Sequence, residues 1–253
     1  MVQDTRALAP TSHADGPRLT VVEHLGELRR RLLICVATII ATTIVGFVWA
    51  ERVIGWLKEP AGVLLPRLAF FSPTEALSAY CKVALTIGIV LAVPMILYQL
   101  WAFVRIGLTG RERSYGVMLV GWGSLLFAAG VAAGYYVCLP MFLKFLLRIG
   151  WPNLEPVISI DQYLGFVTSV LLMCGLIGEL PLVIVLLAKL GIVTPAFLQR
   201  QRPWAIIVML VISAVATPTT DAFTMLVMAV PLIVLYELSI WICRLVVRPQ
   251  PSA

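Results

Sequence analysis

The stretch Gln162–Lys189, QYLGFVTSVLLMCGLIGELPLVIVLLAK, decides the class of fold. Before its last residue it carries one charged side chain, Glu179. It exceeds the roughly 20 apolar residues that cross a bilayer at about 1.5 Å each, so it has length to spare for tilt. Five more apolar segments surround it, near 32–50, 80–104, 116–139, 204–217 and 222–243. The fifth in chain order, Trp204 to Thr217, is short, about 21 Å against a hydrocarbon core of about 30 Å. The sixth is interrupted by Pro231 and Glu237.

Composition agrees. Of 253 residues, 60% are hydrophobic and 13% charged, and the mean hydropathy is +0.98. A soluble domain carries about 25% charged residues, so this surface would not keep a globule in water. Disorder is excluded because disordered chains are polar. The net charge of +6 does not point to nucleic acid, because the basic residues form short clusters beside apolar runs. Such clusters set orientation in membranes. With six spans, thirteen Lys and Arg fall on the side of the termini and six on the other, which predicts cytoplasmic termini.

The expected organisation is an all-α polytopic membrane protein of six transmembrane helices, the fifth and sixth short. Residues 1–20 form a flexible cytoplasmic tail, 21–245 the membrane domain, and 246–253 a short cytoplasmic tail. The outer loops, near 51–79 and 140–161, are rich in proline and aromatic residues, which predicts short interfacial helices and a rigid cap.

Several polar groups stand out against this background. In Glu23-His24-Leu25-Gly26-Glu27-Leu28-Arg29-Arg30-Arg31-Leu32, Glu27 lies one helical turn from both His24 and Arg31. It is either an interfacial i,i+4 ion pair or a carboxylate displayed to receive a cationic partner. The three arginines before an apolar run mimic an export signal, but five further spans follow. Segment two is kinked by Pro94 and ends in Tyr98-Gln99-Leu100-Trp101-Ala102-Phe103, suited to an interfacial belt. Glu112 follows, a lone acid between Arg111 and Arg113, open to local charge balance or to display.

Glu179 precedes Pro181 by two residues and falls near mid-membrane. A carboxylate there costs about 2.5–3.5 kcal/mol on insertion scales, so it needs a partner or a proton, and it reads as functional. Glu237 is a second such acid, nearer the cytoplasmic end, and fits a snorkelling interfacial carboxylate equally well. In Thr217-Pro218-Thr219-Thr220-Asp221, Asp221 caps segment six, with the threonines satisfying exposed backbone. Gly130 and Gly134 form a small-xxx-small pattern that marks close helix packing.

No HExxH, GxSxG or phosphate-binding GxxxxGK[ST] occurs, and the two histidines, His13 and His24, lie near the N-terminus. None of the five cysteines has metal-ligand spacing, so no metal, cofactor or disulfide is expected, and no enzymatic activity. A proton-coupled secondary transporter using Glu179 is the competing class. It lacks support from inverted repeats or a matching pair of broken helices.

Taken in order, these motifs resemble the TatC family, the multispanning core of the twin-arginine protein translocase. The resemblance runs from about Val22 to Arg244. It rests on His24-Leu25-x-Glu27-Leu28-Arg29-x-Arg31-Leu32, Phe71-Ser72-Pro73-Thr74-Glu75, Tyr98-Gln99-x-Trp101-x-Phe103 and Glu112-Arg113. Glu179-x-Pro181, Arg202-Pro203, Thr217-Pro218 with Asp221, and Pro231 with Tyr236-Glu237 complete it. The chain departs from the family at Ile106, where a proline is usual.

The resemblance implies a concave bundle in the bacterial cytoplasmic membrane and binding of twin-arginine signal peptides of folded precursors. Glu27 and Glu112 would receive the paired arginines, with Arg29, Gln99 and Phe103 beside them. A carboxylate accepts the planar guanidinium fork bidentately, which lysine cannot reproduce. Glu179, with Thr217 and Glu237, would dock the single-span partners TatA and TatB. Pro73, Pro94, Pro181 and Asp221 would be structural. Homo-oligomers and transport driven by the membrane potential or proton gradient are also implied.

Overall fold

The computed structural model describes residues 21–61, 68–69, 71–104, 116–149, 157–189, 191–216 and 221–246. The first helix, α1 (Val21–Lys58), runs for 38 residues, about 57 Å. It therefore includes the Glu27 motif in its opening turns and projects well beyond a bilayer. After a 3-10 turn at Glu59–Ala61 and a two-residue strand β1 (Leu68–Ala69), α2 (Pro73–Val104) returns antiparallel against α1. Their contact is close: a Cβ on Gly88 would meet the Thr43 backbone at 2.8 Å, and the Thr42 hydroxyl donates to the Gly88 carbonyl at 2.8 Å.

The third pass is α3 (Gly116–Ala133), a wide π turn (Gly134–Cys138), and α4 (Leu139–Ile149). The wide turn falls just before Pro140, where a regular helix would set the proline ring against a carbonyl four residues back. The fourth pass begins at β2 (Ile158–Ser159) and continues as α5 (Ile160–Gly178) and α6 (Leu180–Lys189). Then come α7 (Pro195–Arg200), α8 (Arg202–Ala216) and α9 (Ala222–Val246).

Five of these helical stretches are long and apolar enough to cross a membrane: His24–Lys58, Pro73–Val104, Met118–Leu146, Ile160–Lys189 and Ala222–Leu245. The helix Arg202–Val215 is apolar but shorter. Large apolar side chains such as Leu32, Ile40, Ile44, Trp122, Val215 and Trp241 are exposed on the outward faces, as lipid-facing surface requires.

Three features depart from the sequence-based expectation. Only one of the last two helices is short: α8 spans about 22 Å, but α9 has 25 residues, about 37 Å. Pro231 lies inside α9 without ending it, as membrane helices allow where the freed backbone carbonyl is satisfied locally. The fourth segment is two helices rather than one, broken at Glu179. Finally, the outer loops include a small parallel strand pair, Leu68 against Ile158 and Ala69 against Ser159.

Two buried clusters hold the bundle together. One joins the outer ends of α1, α2, α4 and α5 through Leu57, Val83, Leu139 and Leu164. The other joins α5, α6 and α9 through Val170, Ile184, Leu232 and Ile240. Between α3 and α5 the spacing is set by glycine: a Cβ on Gly130 would lie 3.1 Å from the Gly175 Cα, and one on Gly178 would lie 2.5 Å from the Leu126 carbonyl oxygen.

Candidate functional site

The start of α1 and the end of α2 meet on one side of the bundle. There the Arg31 guanidinium makes a 2.6 Å ion pair with Glu27 and donates to the Gln99 side-chain oxygen at 3.2 Å. The i,i+4 spacing on a continuous helix brings Glu27 and Arg31 to one face. Antiparallel packing brings Gln99, almost fully buried, to the same point. One turn nearer the helix ends, the His24 ring stacks on Phe103 with centroids 4.4 Å apart. The next aromatic inward, Trp101, is buried with its indole against Gly116 of α3, where a larger residue would collide with the ring.

Glu27, Gln99 and Phe103 are thus gathered at one place, through two residues that the sequence reading had only as neighbours of Glu27, namely His24 and Arg31. Arg29 is exposed on α1, about 200° round the helix from Glu27. Glu112, Thr217 and Ile106 lie outside the described residues.

The second site is Glu179. Its backbone ends α5: the amide reaches back to Leu176, and its carbonyl accepts from Val183 as α6 begins. Pro181, two residues on, has no amide to donate, which weakens the ladder at this point. The side chain is 8% exposed, and neither carboxyl oxygen has a hydrogen-bond partner among the described residues. It borders an apolar cavity of about 480 Å³ between α2, α3, α5 and α6, lined by Val93, Leu97, Trp101, Phe127 and Leu186 among others. Gly123 of α3 faces the carboxylate; a Cβ there would lie 3.2 Å from Oε2. A buried carboxylate without a protein partner, beside an apolar cavity, can take a hydrogen-bond donor delivered by a membrane-embedded partner.

The remaining sites are structural in their contacts. Glu237 pairs with Arg202 at 2.7 Å with both side chains well exposed, joining the start of α8 to α9. Asp221 caps α9, accepting from the Thr224 amide at 2.8 Å and its hydroxyl at 2.7 Å. Pro73 opens α2. Ser72 caps it, its hydroxyl accepting from the Thr74 amide at 3.3 Å, and Glu75 accepts from the Phe71 amide at 3.1 Å and the Ser159 hydroxyl at 2.8 Å. Pro94 sits inside α2 and Pro181 in the first turn of α6.

On the side opposite Glu27, Lys82 of α2 pairs with Asp161 of α5 at 2.7 Å. Tyr135 and Tyr163 donate to the carbonyls of Trp56 and Leu57. Together with Glu75–Ser159 and the strand pair, these contacts join the described parts of the connections before α2 and α5 on that side of the bundle. The local signal for the Lys82–Asp161 pair was the Ser159-x-Asp161 start of α5, but the partner lies 79 residues away.

A mostly helical chain with five helices long and apolar enough to cross a membrane reads as a multi-pass membrane protein. Residues 23–231 match the family described as Sec-independent protein translocase protein (TatC), and the chain belongs to that family, a component of the twin-arginine translocase. It is 35% identical over 228 residues to the TatC of Carboxydothermus hydrogenoformans, covering 90% of this chain and 94% of that one. It is 38% identical over 232 residues to TatCy of Bacillus subtilis, covering 91% of each. A crystal structure described as the twin arginine translocase receptor TatC, in the detergent DDM, superimposes with a TM-score of 0.80 at 37% identity, covering 88% of this chain and 100% of that one.

Proposed function

We propose that this protein is the signal-recognising core of a twin-arginine translocase in the bacterial cytoplasmic membrane, with both termini cytoplasmic. Glu27 and Glu112 receive the two arginines of the export signal, and Arg29, Gln99 and Phe103 complete the surface. The observation that carries this is the set of Glu27, Arg31 and Gln99 at the joint of α1 and α2, a carboxylate already seated on a guanidinium with Gln99 beside it. The apolar part of the signal lies along the concave face. Glu179 docks the transmembrane helices of TatA- and TatB-type subunits, with Thr217 and Glu237 contributing, and several copies of the chain assemble in the receptor complex. Transport draws on the membrane potential or proton gradient rather than on nucleotide.

The test is signal binding. In purified protein reconstituted in nanodiscs, Glu27→Ala and Glu112→Ala should each weaken crosslinking to an Arg-Arg signal peptide, and the charge-reversed variants more so. Each charge-assisted contact is worth about 1.5–3 kcal/mol, less where water reaches it. Unchanged affinity in the double Ala variant would remove the assignment.

A further inference from the structure

If Glu27 receives a signal arginine, the structure raises a question of occupancy. The carboxylate is not vacant. Arg31, one turn on, holds it at 2.6 Å, and the same guanidinium is held from the other side by Gln99 at 3.2 Å. Arg31 is 15% exposed in its side chain against 28% for Glu27, so the pair sits at a rim that a ligand can reach from the carboxylate side. The Arg31 Nε is buried with no hydrogen-bond partner among the described residues, so the internal pair is not fully satisfied. A guanidinium that arrives from outside offers Glu27 the same planar fork as the one in place.

We propose that Arg31 is a built-in competitor for Glu27: its guanidinium occupies the carboxylate in the free protein, and an incoming guanidinium must displace it, while Gln99 keeps hold of the displaced side chain. The proposal rests on the receptor assignment of Glu27 above. Its consequence is a threshold. An internal competitor lowers the apparent affinity of every ligand by one common factor, as does any equilibrium in which the competent state is only a fraction. A bidentate arginine signal survives that loss. A lysine signal, a point charge on a flexible stem, starts from a weaker contact and loses the same factor. Arg31 therefore sets the affinity threshold at Glu27 for every cation, without touching the signal and without changing the ratio between arginine and lysine.

The sign of the effect separates this from a structural role. Arg31→Gln removes the competitor and keeps a side chain able to reach Gln99. Affinity for an Arg-Arg signal peptide, measured on the protein in nanodiscs, should rise about two- to fivefold, the span of a partly exposed ion pair. Affinity for the Lys-Lys peptide should rise by the same factor. Loss of one positive charge would also help any cation, so Arg30→Gln, an exposed neighbour with the same charge change, is the comparison and should gain much less. The decisive readout is a double-mutant cycle: in a Glu27→Gln background the gain from Arg31→Gln should vanish. Arg31→Lys keeps the cation, and so guards against loss of folding; as a weaker, one-point competitor it should give an intermediate gain. Weaker or unchanged binding in Arg31→Gln and Arg31→Lys would overturn the proposal, as would a gain that persists without Glu27. If Glu27→Gln alone leaves Arg-Arg binding intact, it is the receptor assignment that fails, and the two failures are told apart by that single variant.

Discussion

Gly130→Ala adds one methyl group to α3 and should measurably destabilise the bundle. At 3.1 Å from the new Cβ lie the Cys174 carbonyl carbon and the Gly175 Cα, and the Cys174 carbonyl oxygen is nearer still. Ordinary carbon contacts lie at about 3.5–4.0 Å, so α3 and α5 must separate by about half an ångström to one ångström. The obstructing atoms are backbone, which cannot swing aside as a side chain can. Overpacking of this kind costs about 1–3 kcal/mol. Replacing a helical glycine also brings an intrinsic gain of up to about 1 kcal/mol, which would blur the result if read alone.

Gly121 removes that ambiguity. It lies on the same helix and has nothing within 4 Å of its would-be Cβ. Gly121→Ala therefore shows the intrinsic gain by itself, and the difference between the two variants is the steric cost. At about 2–4 °C per kcal/mol for a chain of this size, Gly130→Ala should melt several degrees below Gly121→Ala. The assay is thermal unfolding of the two purified variants in the same detergent. Equal melting temperatures would refute the close approach of α3 and α5 at Gly130, and with it the glycine seam.

Two further outcomes follow. Asp221→Ala should cost about 0.5–2 kcal/mol by removing the carboxylate that accepts from the Thr224 amide at the start of α9, with Asp221→Asn milder, read from thermal unfolding beside the parent; no change would show that the cap contributes nothing. For Glu179, Gln keeps the shape and hydrogen bonding of a neutral carboxyl and Ala keeps neither. On the docking role, Glu179→Gln should retain much of the precursor export that Glu179→Ala loses, with signal crosslinking intact in both; equal loss of export in the two variants would favour a proton-carrying role instead.

Much of the fold was legible because lipid demands it. Long apolar runs with rare charges permit little except helices, and Gly130 and Gly134 marked the α3–α5 contact through residue size alone. What stayed hidden depends on partners far along the chain. The Arg31–Gln99 and Lys82–Asp161 contacts join residues 68 and 79 positions apart, beyond any local spacing rule. Strands of two residues have no periodicity to detect, so β1 and β2 could not be read. The break at Glu179 was half visible: the mid-span acid and Pro181 were plain, but a proline near an acid is compatible with a kink as well as with a break. The length of α9 was misjudged because Pro231 and Glu237 were weighed by local cost. In the folded chain, Glu237 pairs with Arg202 and the helix continues through the proline.

The two polar sites differ in a way that bears on how a translocase core could use them. At the rim, Glu27 is partly exposed and already paired, so one more cation gains only the difference between two similar ion pairs. Exchange of that kind is reversible and sensitive to partner geometry, which suits scanning many precursors. At Glu179 the balance is reversed. The carboxyl is buried and unpaired beside an apolar cavity, so a single donor relieves a desolvation cost that water does not relieve. A small partner helix offering one polar side chain would gain more there than the same side chain gains at the rim. Gly123 lets Leu97, Leu182 and the carboxylate pack close to α3, and an alanine at 123 would crowd all three. On the proposed roles, exchangeable recognition at the rim and docking at the buried carboxyl are separable by chemistry as well as by position. On the proposed roles, raising salt should weaken signal binding at Glu27 more than docking at Glu179, because mobile ions screen an exposed ion pair more than a buried group.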